Sequence, residues 1–333
     1  MKTITIGTFN CENLFTRYRF LDQAFEGKHY VDWIKPVSGA ESLLTFGPGR
    51  EDIPLPREIT RKQRLNTAEV VLNNQPDILA VQEVENLPTM RLFNTHYLKH
   101  HFKYAVLIDG NDNKRMIDVG LYSNYEIVTL STHIYDQHLL PNKTKSTHVF
   151  SRDCLEVVID VDGTPVTFLI NHFKAQDRFT RRRRKPADTP SDDVLKREAQ
   201  AARVVEIVEA AHRQNPQADY VVLGDLNAPP PVHAPDLKVL YNSKALIPID
   251  DSIDGHNWTY FLSAAGGRGK VSKLDYVFLS PALAKRNTGA RLKIERAGLD
   301  PDCRHYPGPR FPGVDGPDTE ASDHCGVFLE LKI

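Results

Sequence analysis

The sequence predicts an α/β protein in which two mixed β-sheets pack face to face with helices outside. Short runs dominated by Val, Ile, Phe and Leu recur along the chain, each of strand length. Segments with helical periodicity are few. The two kinds of segment do not alternate strictly, which argues against a plain doubly wound parallel sheet and for two packed sheets.

Taken in order, the first strand is Thr3 to Phe9, where Ile and Thr alternate. Further strands are predicted at Ile78–Val81, Val119–Tyr122, Leu155–Ile159, Val166–Ile170, Tyr220–Leu223, Tyr276–Leu279 and Gly326–Leu331. Thr60 to Asn74 reads as a helix capped by Thr60, with Leu65, Ala68, Val71 and Leu72 on one face. Asn86 to Leu98 carries a weaker helical pattern. Ser191 to Gln214 sets Val194, Leu195, Ala199, Ala202, Val205 and Val208 at helical spacing, and Asn215-Pro216 ends it. There is no internal repeat and no dividing linker, so residues 1–333 are expected to form one domain. Irregular insertions are expected at about 22–58, 177–191 and 298–320. Long stretches of this kind in a compact domain are usually functional or mobile.

Composition narrows the function. The chain has 333 residues, 41% hydrophobic and 26% charged, which excludes a mainly disordered, collagen-like or coiled-coil state. The net charge is −1, from 42 Lys+Arg and 43 Asp+Glu, so any contact with a polyanion must come from local patches. No apolar run approaches the roughly 20 residues that span a bilayer. The start, Met1-Lys2-Thr3-Ile4-Thr5-Ile6, reads as a strand and not a signal peptide, so a cytoplasmic monomer is expected, with a secreted mature form left open. None of the cysteines Cys11, Cys154, Cys303 and Cys325 lies in a CxxC, so a zinc knuckle or redox motif is unsupported and reduced, buried thiols are expected.

The chemistry sits at strand ends. The run at Ile78–Val81 ends in Gln82-Glu83, and Tyr220–Leu223 ends in Gly224-Asp225-Leu226-Asn227. The first strand ends in Asn10 with Glu12 behind it, and Val166–Ile170 ends in Asn171-His172. Leu274-Asp275 and Asp323-His324 stand at the starts of two others. If neighbouring strands are antiparallel, starts and ends meet along one rim, gathering Glu83, Asp225, Asp275, Asp323, Asn227, Asn10, His172 and His324. Clustered carboxylates raise one another's pKa unless a cation compensates them. An oxygen-rich set with few nitrogens and no thiolate favours Mg²⁺ or Mn²⁺ over Zn²⁺ and points to phosphoester hydrolysis. Singly, each motif also reads as a turn or a solvated strand end.

The ordered set Phe9-Asn10-Cys11-Glu12-Asn13, Gln82-Glu83, Asn171-His172, Gly224-Asp225-Leu226-Asn227, Leu274-Asp275-Tyr276 and Ser322-Asp323-His324 resembles the endonuclease/exonuclease/phosphatase superfamily, the deoxyribonuclease I-like enzymes. The resemblance implies a four-layer α/β sandwich. It implies Glu83 as the main metal-binding glutamate, Asp323 as a metal-side carboxylate, and Asn10 near metal and phosphate. Asp225 becomes the residue that orients or deprotonates the attacking water and stands near the metal. Asn227 positions the phosphate, His324 binds it, Asp275 orients His324, and His172 is the second histidine. Arg152 falls where deoxyribonucleases place a phosphate-contacting arginine, and reads equally well as a solvated strand-start charge. One departure is visible: where several relatives carry a phosphate-touching tyrosine, this chain has Arg115-Met116-Ile117-Asp118, so Arg115 is expected to take that contact and Asp118 to orient His172.

Substrate class is read from Arg178 with Arg181-Arg182-Arg183-Arg184-Lys185, a few residues after His172. Placed at the rim, these cations, Arg181 and Arg182 among them, would bind a phosphate backbone; the same run also reads as a solvated basic loop. Phe173, Phe179, Trp258 and Tyr260 are candidates for base stacking or for core packing. The first expectation is a Mg²⁺- or Mn²⁺-dependent nuclease on DNA, with RNA left open, leaving 5′-phosphate and 3′-hydroxyl ends. The others are a phosphatase or phosphodiesterase on a small or lipid phosphoester, and an inactive nucleic-acid-binding module.

Overall fold

The computed structural model describes residues 2–14, 18–19, 57–112, 117–139, 145–176, 190–263 and 269–333. The strands of the two large sheets are β1 (Thr3–Leu14), β2 (Ile78–Val84), β3 (Tyr104–Leu107), β4 (Asp118–Ser123), β5 (Glu126–Ser131), β6 (Cys154–Val161), β7 (Thr164–His172), β8 (Asp219–Asp225), β9 (Ile247–Pro248), β10 (Asp275–Leu279), β11 (Lys293–Glu295) and β12 (Gly326–Lys332). The helices are α1 (Arg61–Leu72), α2 (Leu87–His96), α3 (Asp192–Gln214), α4 (Lys238–Asn242) and α5 (Pro281–Arg286). Each sheet has six strands, in the orders β11-β12-β1-β2-β4-β3 and β9-β10-β8-β7-β6-β5.

Both sheets are mixed and share one plan. Each has a parallel pair at its centre, β1 with β2 and β7 with β8, and antiparallel partners on either side. The central core lies between the sheets, where Ile4, Ile6, Ile78 and Leu121 meet Val157, Phe168, Val221 and Leu279. A second apolar layer joins the outer face of one sheet to α3 and α4 through Leu169, Val204, Val205, Val208, Leu240 and Phe278. A third joins the other sheet to α1 and α2 through Phe9, Ala68, Val71, Met90, Phe93 and Phe328. The result is the α/β/β/α sandwich expected from the chain's pattern.

The helices begin where their caps demand. Thr60 and Gln63 form a capping box on α1, Asn86 caps α2, and Ser191 caps α3. The inward face of α1 is more polar than expected. Leu65 is 39% exposed, while Gln63, Asn66 and Thr67 are buried with Val70 and Val71. The cause is hydrogen bonding: Asn66 Nδ2 donates to Thr319 O at 2.6 Å, and Thr67 Oγ1 donates to Ala321 O at 2.8 Å. These bonds fasten α1 to the chain just before Ser322-Asp323-His324.

In the two large sheets, the strands that the sequence does not announce are β3, β5, β9 and β11, and all are sheet edges. An edge strand with a wet face needs no continuous apolar run. Of the expected insertions, 20–56 and 177–189 lie outside the described residues. Residues 298–320 have no helix or strand, but the Arg310 guanidinium gathers the carbonyls of Leu299, Asp300, Cys303, Tyr306 and Gly308. All four cysteines are free and buried. Among the described residues, no helix is long and apolar enough to cross a membrane.

Candidate active site

The register brings the polar strand ends together. His172, closing β7, stands opposite Asp225, closing β8, and Asp225 stands opposite Asp275, opening β10. Asn10 on β1 stands opposite Gln82 on β2. Local irregularities aim the side chains. Glu12 and Glu83 lie where the β1–β2 and β2–β4 registers slip, with φ of 45° and 59°. A bulge of this kind turns a side chain out of the pleat and is common beside active sites. Asn227 also has a left-handed φ, 51°. Gly224 has φ 135°, and a Cβ there would sit 1.9 Å from Asn171 O, so the close β7–β8 approach that sets His172 beside Asp225 requires glycine.

Asp225 is the hub. Its Oδ2 accepts Asn10 Nδ2 at 3.1 Å and Asn227 Nδ2 at 3.0 Å, and its Oδ1 accepts the Asn227 amide at 2.8 Å. His172 Nε2 lies 3.4 Å from Asp225 Oδ2 and 3.9 Å from Glu83 Oε1. His324 Nε2 lies 3.7 Å from Asp225 Oδ2 and 4.0 Å from Asp323 Oδ1. His324 Nδ1 meets Asp275 Oδ2 at 2.9 Å. The expected acids, amides and histidines of the rim therefore share one site: Glu83, His172, Asp225, His324 and Asp323 follow one another, with Asn10, Asn227 and Asp275 behind them.

Burial sets the charge states. Desolvation, reinforced by Asp275, pushes the Asp225 carboxyl up to about 7 against the pull of His324, Asn227 and Asn10. Burial alone would keep His324 neutral, but Asp275, Asp225 and Asp323 outweigh it and raise its pKa well above the ordinary histidine range. The structure thus pairs an acid held near neutrality with an imidazolium whose Nδ1 is already tied. Burial also pushes the Cys11 thiol up, so it stays protonated beside the acidic set.

Other expected residues border the cluster or have partners of their own. Asp118 accepts the Gly110 amide at 2.7 Å. Arg152 is 2% exposed and donates to Phe173 O at 3.3 Å. Phe173 and Tyr260 are buried, the Tyr260 ring lying 4.7 Å from that of His324. Arg115, Arg178, Phe179 and Arg181–Lys185, Arg182 included, lie outside the described residues. Sequence reading overlooked Thr259, whose hydroxyl donates to Asp275 Oδ2 at 2.7 Å and accepts the Leu274 and Asp275 amides at 3.0 Å. A lone Thr before an aromatic gives no signal for that. Ser322 was seen only as part of a motif, yet its hydroxyl donates to Asn10 O at 2.7 Å and accepts the His324 amide at 3.0 Å. Glu12 Oε2 accepts the Asp323 amide at 3.1 Å.

The family model described as the Endonuclease/Exonuclease/phosphatase family matches residues 7–324. The chain belongs to that family. Solved structures share the fold at low identity. The beta toxin from Staphylococcus aureus has a TM-score of 0.58 at 15% identity, covering 99% of this chain and 100% of the other. The human Nocturnin catalytic domain with bound sulfate has a TM-score of 0.55 at 15% identity, covering 99% and 94%. D. rerio TDP2 complexed with a single-strand DNA product has a TM-score of 0.54 at 11% identity, covering 100% of both chains. No curated protein matches the chain by sequence.

Family and site together make the chain a metal-dependent phosphoric ester hydrolase. The donor set suits a hard cation. Asp225, Asp275 and His324 offer ligand atoms within 4.8 Å of one another, and Asp275 Oδ1 is buried without a hydrogen-bond partner. Carboxylate and amide oxygens predominate around them, and the nearby thiol is protonated.

Proposed function

We propose that this protein is a Mg²⁺- or Mn²⁺-dependent nuclease that hydrolyses DNA, leaving 5′-phosphate and 3′-hydroxyl ends. The observation that carries the reading is the Asp225 hub: a buried carboxyl with its pKa near 7, held by two amide side chains and flanked by two imidazoles. Glu83 and Asp323 would hold the cation, with Asn10 and Asp225 beside it; Asp275, whose Oδ2 is engaged by His324 and Thr259, has only Oδ1 left to offer. A divalent cation there would neutralise charge on the phosphate and its leaving oxygen.

The chain's own groups divide the remaining work. Asp225, ionised at and above neutrality, takes a proton from the attacking water. Asn10 and Asn227 fix its rotamer. His324, its Nδ1 bound to Asp275, presents Nε2–H to a phosphate oxygen, and His172 faces the same centre from the Glu83 side. Charge grows on the phosphoryl oxygens as the water oxygen bonds to phosphorus, and these donors oppose it; the P–O3′ bond breaks and the departing 3′ oxygen takes up a proton from solvent.

DNA is favoured by the run Arg181-Arg182-Arg183-Arg184-Lys185, which follows Gln176 closely in the chain. Gln176 Nε2 donates to Asn227 O at 3.0 Å, so Gln176 itself lies at the site. A run of consecutive cations suits a continuous phosphate backbone better than one small phosphoester. That a structural neighbour, D. rerio TDP2, was solved with a single-strand DNA product accords with this. A panel of supercoiled, linear and single-stranded DNA, RNA, a phosphomonoester and sphingomyelin tests the reading. Polynucleotide cleavage with 5′-phosphate ends is expected. Turnover confined to the small or lipid esters would overturn the nuclease assignment while keeping the hydrolase.

A further inference from the structure

A chain of hydrogen bonds runs from Arg152 into the active site. Arg152 Nη1 donates to Phe173 O at 3.3 Å, and its Nε lies 3.3 Å from Asp112 Oδ2. The same Phe173 carbonyl accepts Asn227 Nδ2 at 3.1 Å, and that Nδ2 donates its second hydrogen to Asp225 Oδ2 at 3.0 Å. Phe173 N in turn donates to Asp225 O at 2.9 Å. A carbonyl oxygen has two lone pairs, and here Arg152 and Asn227 take them. An amide NH₂ bridging two acceptors has its plane set by both, so the place of Phe173 O decides how Asn227 faces Asp225. The Asn227 backbone sits at φ 51°, a left-handed conformation that asparagine tolerates.

We infer that Arg152 is a positioning residue, which acts on Asp225 through the Phe173 carbonyl and Asn227 and does not contact the phosphate. Its burial at 2% exposure and its pairing with Asp112 both point this way. A guanidinium so placed would have to leave Asp112 and Phe173 to reach a substrate. The planar fork of Arg suits two acceptors at fixed angles, and Lys does not reproduce it. The inference rests on the hydrolytic role proposed for Asp225.

The test uses Arg152→Lys, and Arg152→Met combined with Asp112→Asn so that no buried charge is left unpaired. Kinetics are measured on plasmid DNA and on bis(p-nitrophenyl) phosphate with Mn²⁺, and the Asn227 side-chain amide is followed by NMR in metal-free protein. Positioning predicts a kcat lower by about 10- to 100-fold in both variants, with KM and the salt dependence of DNA binding unchanged. It also predicts a shifted Asn227 amide signal, and Asn227→Ala costs less in either variant than in the wild type. A raised KM, a salt slope smaller by about one, and an unmoved Asn227 signal would overturn the inference and make Arg152 a phosphate ligand. If the wild type cleaves no phosphodiester, the hydrolytic reading fails by itself. The amide signal then still decides: a shift supports the bonded path, and no shift refutes it.

Discussion

Asp275→Asn removes one buried negative charge at almost constant volume. Asp275 Oδ2 lies 2.9 Å from His324 Nδ1. At an effective dielectric constant of about 20, opposite charges at that separation attract by roughly 6 kcal/mol. Asp275 is the strongest of the partners that hold His324 above its ordinary value, and without its charge burial pulls the imidazole down against Asp225 and Asp323 alone. In metal-free wild type, long-range ¹H–¹⁵N NMR should show an imidazolium at neutral pH, whereas Asp275→Asn should show neutral His324 at pH 7. With the raised native pKa, the stability that His324 draws from its partners is complete below about pH 6.5 and fades as pH climbs through the native value. The variant should therefore lose most stability relative to wild type on the acid side of that window. Turnover should fall by about 10²- to 10⁴-fold. A variant whose His324 stays charged at pH 7, or a wild type whose His324 is neutral there, would refute the reasoning.

Gly224→Ala places a methyl 1.9 Å from Asn171 O at φ 135°, so it should cost about 3 kcal/mol or more in urea unfolding; near-wild-type stability would contradict the required close approach. Asp118, pushed up to about 6 chiefly by burial, binds its proton more tightly folded than unfolded, so its contribution worsens as pH rises through that range. Asp118→Asn should accordingly stabilise the protein at pH 7–8 by up to ~3 kcal/mol, with the gain gone below about pH 4; an equal effect at both pH values would rule out the charge as its cause. Neutralising Arg181 to Lys185 should flatten the dependence of DNA affinity on salt; binding assays from low to high salt that give an unchanged slope would remove these residues from the interface.

Much of this was legible in the sequence because the site is built from strand boundaries. Asn10, Glu83, His172, Asp225, Asp275 and the Asp323-His324 pair each border an apolar run, and mixed strand direction turns those borders into one rim. The edge strands β3, β5, β9 and β11 were not legible, since one side of each has no strand neighbour and their side chains need no long apolar pattern. Leu65 misled for a related reason: the face of α1 turned inward is chosen by Asn66 and Thr67, which bond to carbonyls some 250 residues away in sequence. Thr259 and Arg152 act through partners that only the folded chain brings near, Asp275 for one and the Phe173 carbonyl for the other. No local pattern marks Thr259, and Arg152 is marked only by the family resemblance, which implies a phosphate contact instead.

The most direct test of the central claim is hydrolysis of plasmid DNA by chelator-stripped protein titrated with Mg²⁺ or Mn²⁺, run beside Glu83→Gln and Asp225→Asn. No cleavage in EDTA, saturable recovery with metal in the wild type, and rates lower by roughly a hundredfold or more in both variants are expected. Cleavage indifferent to EDTA, or variants that match the wild type, would contradict a metal-dependent centre built on these residues.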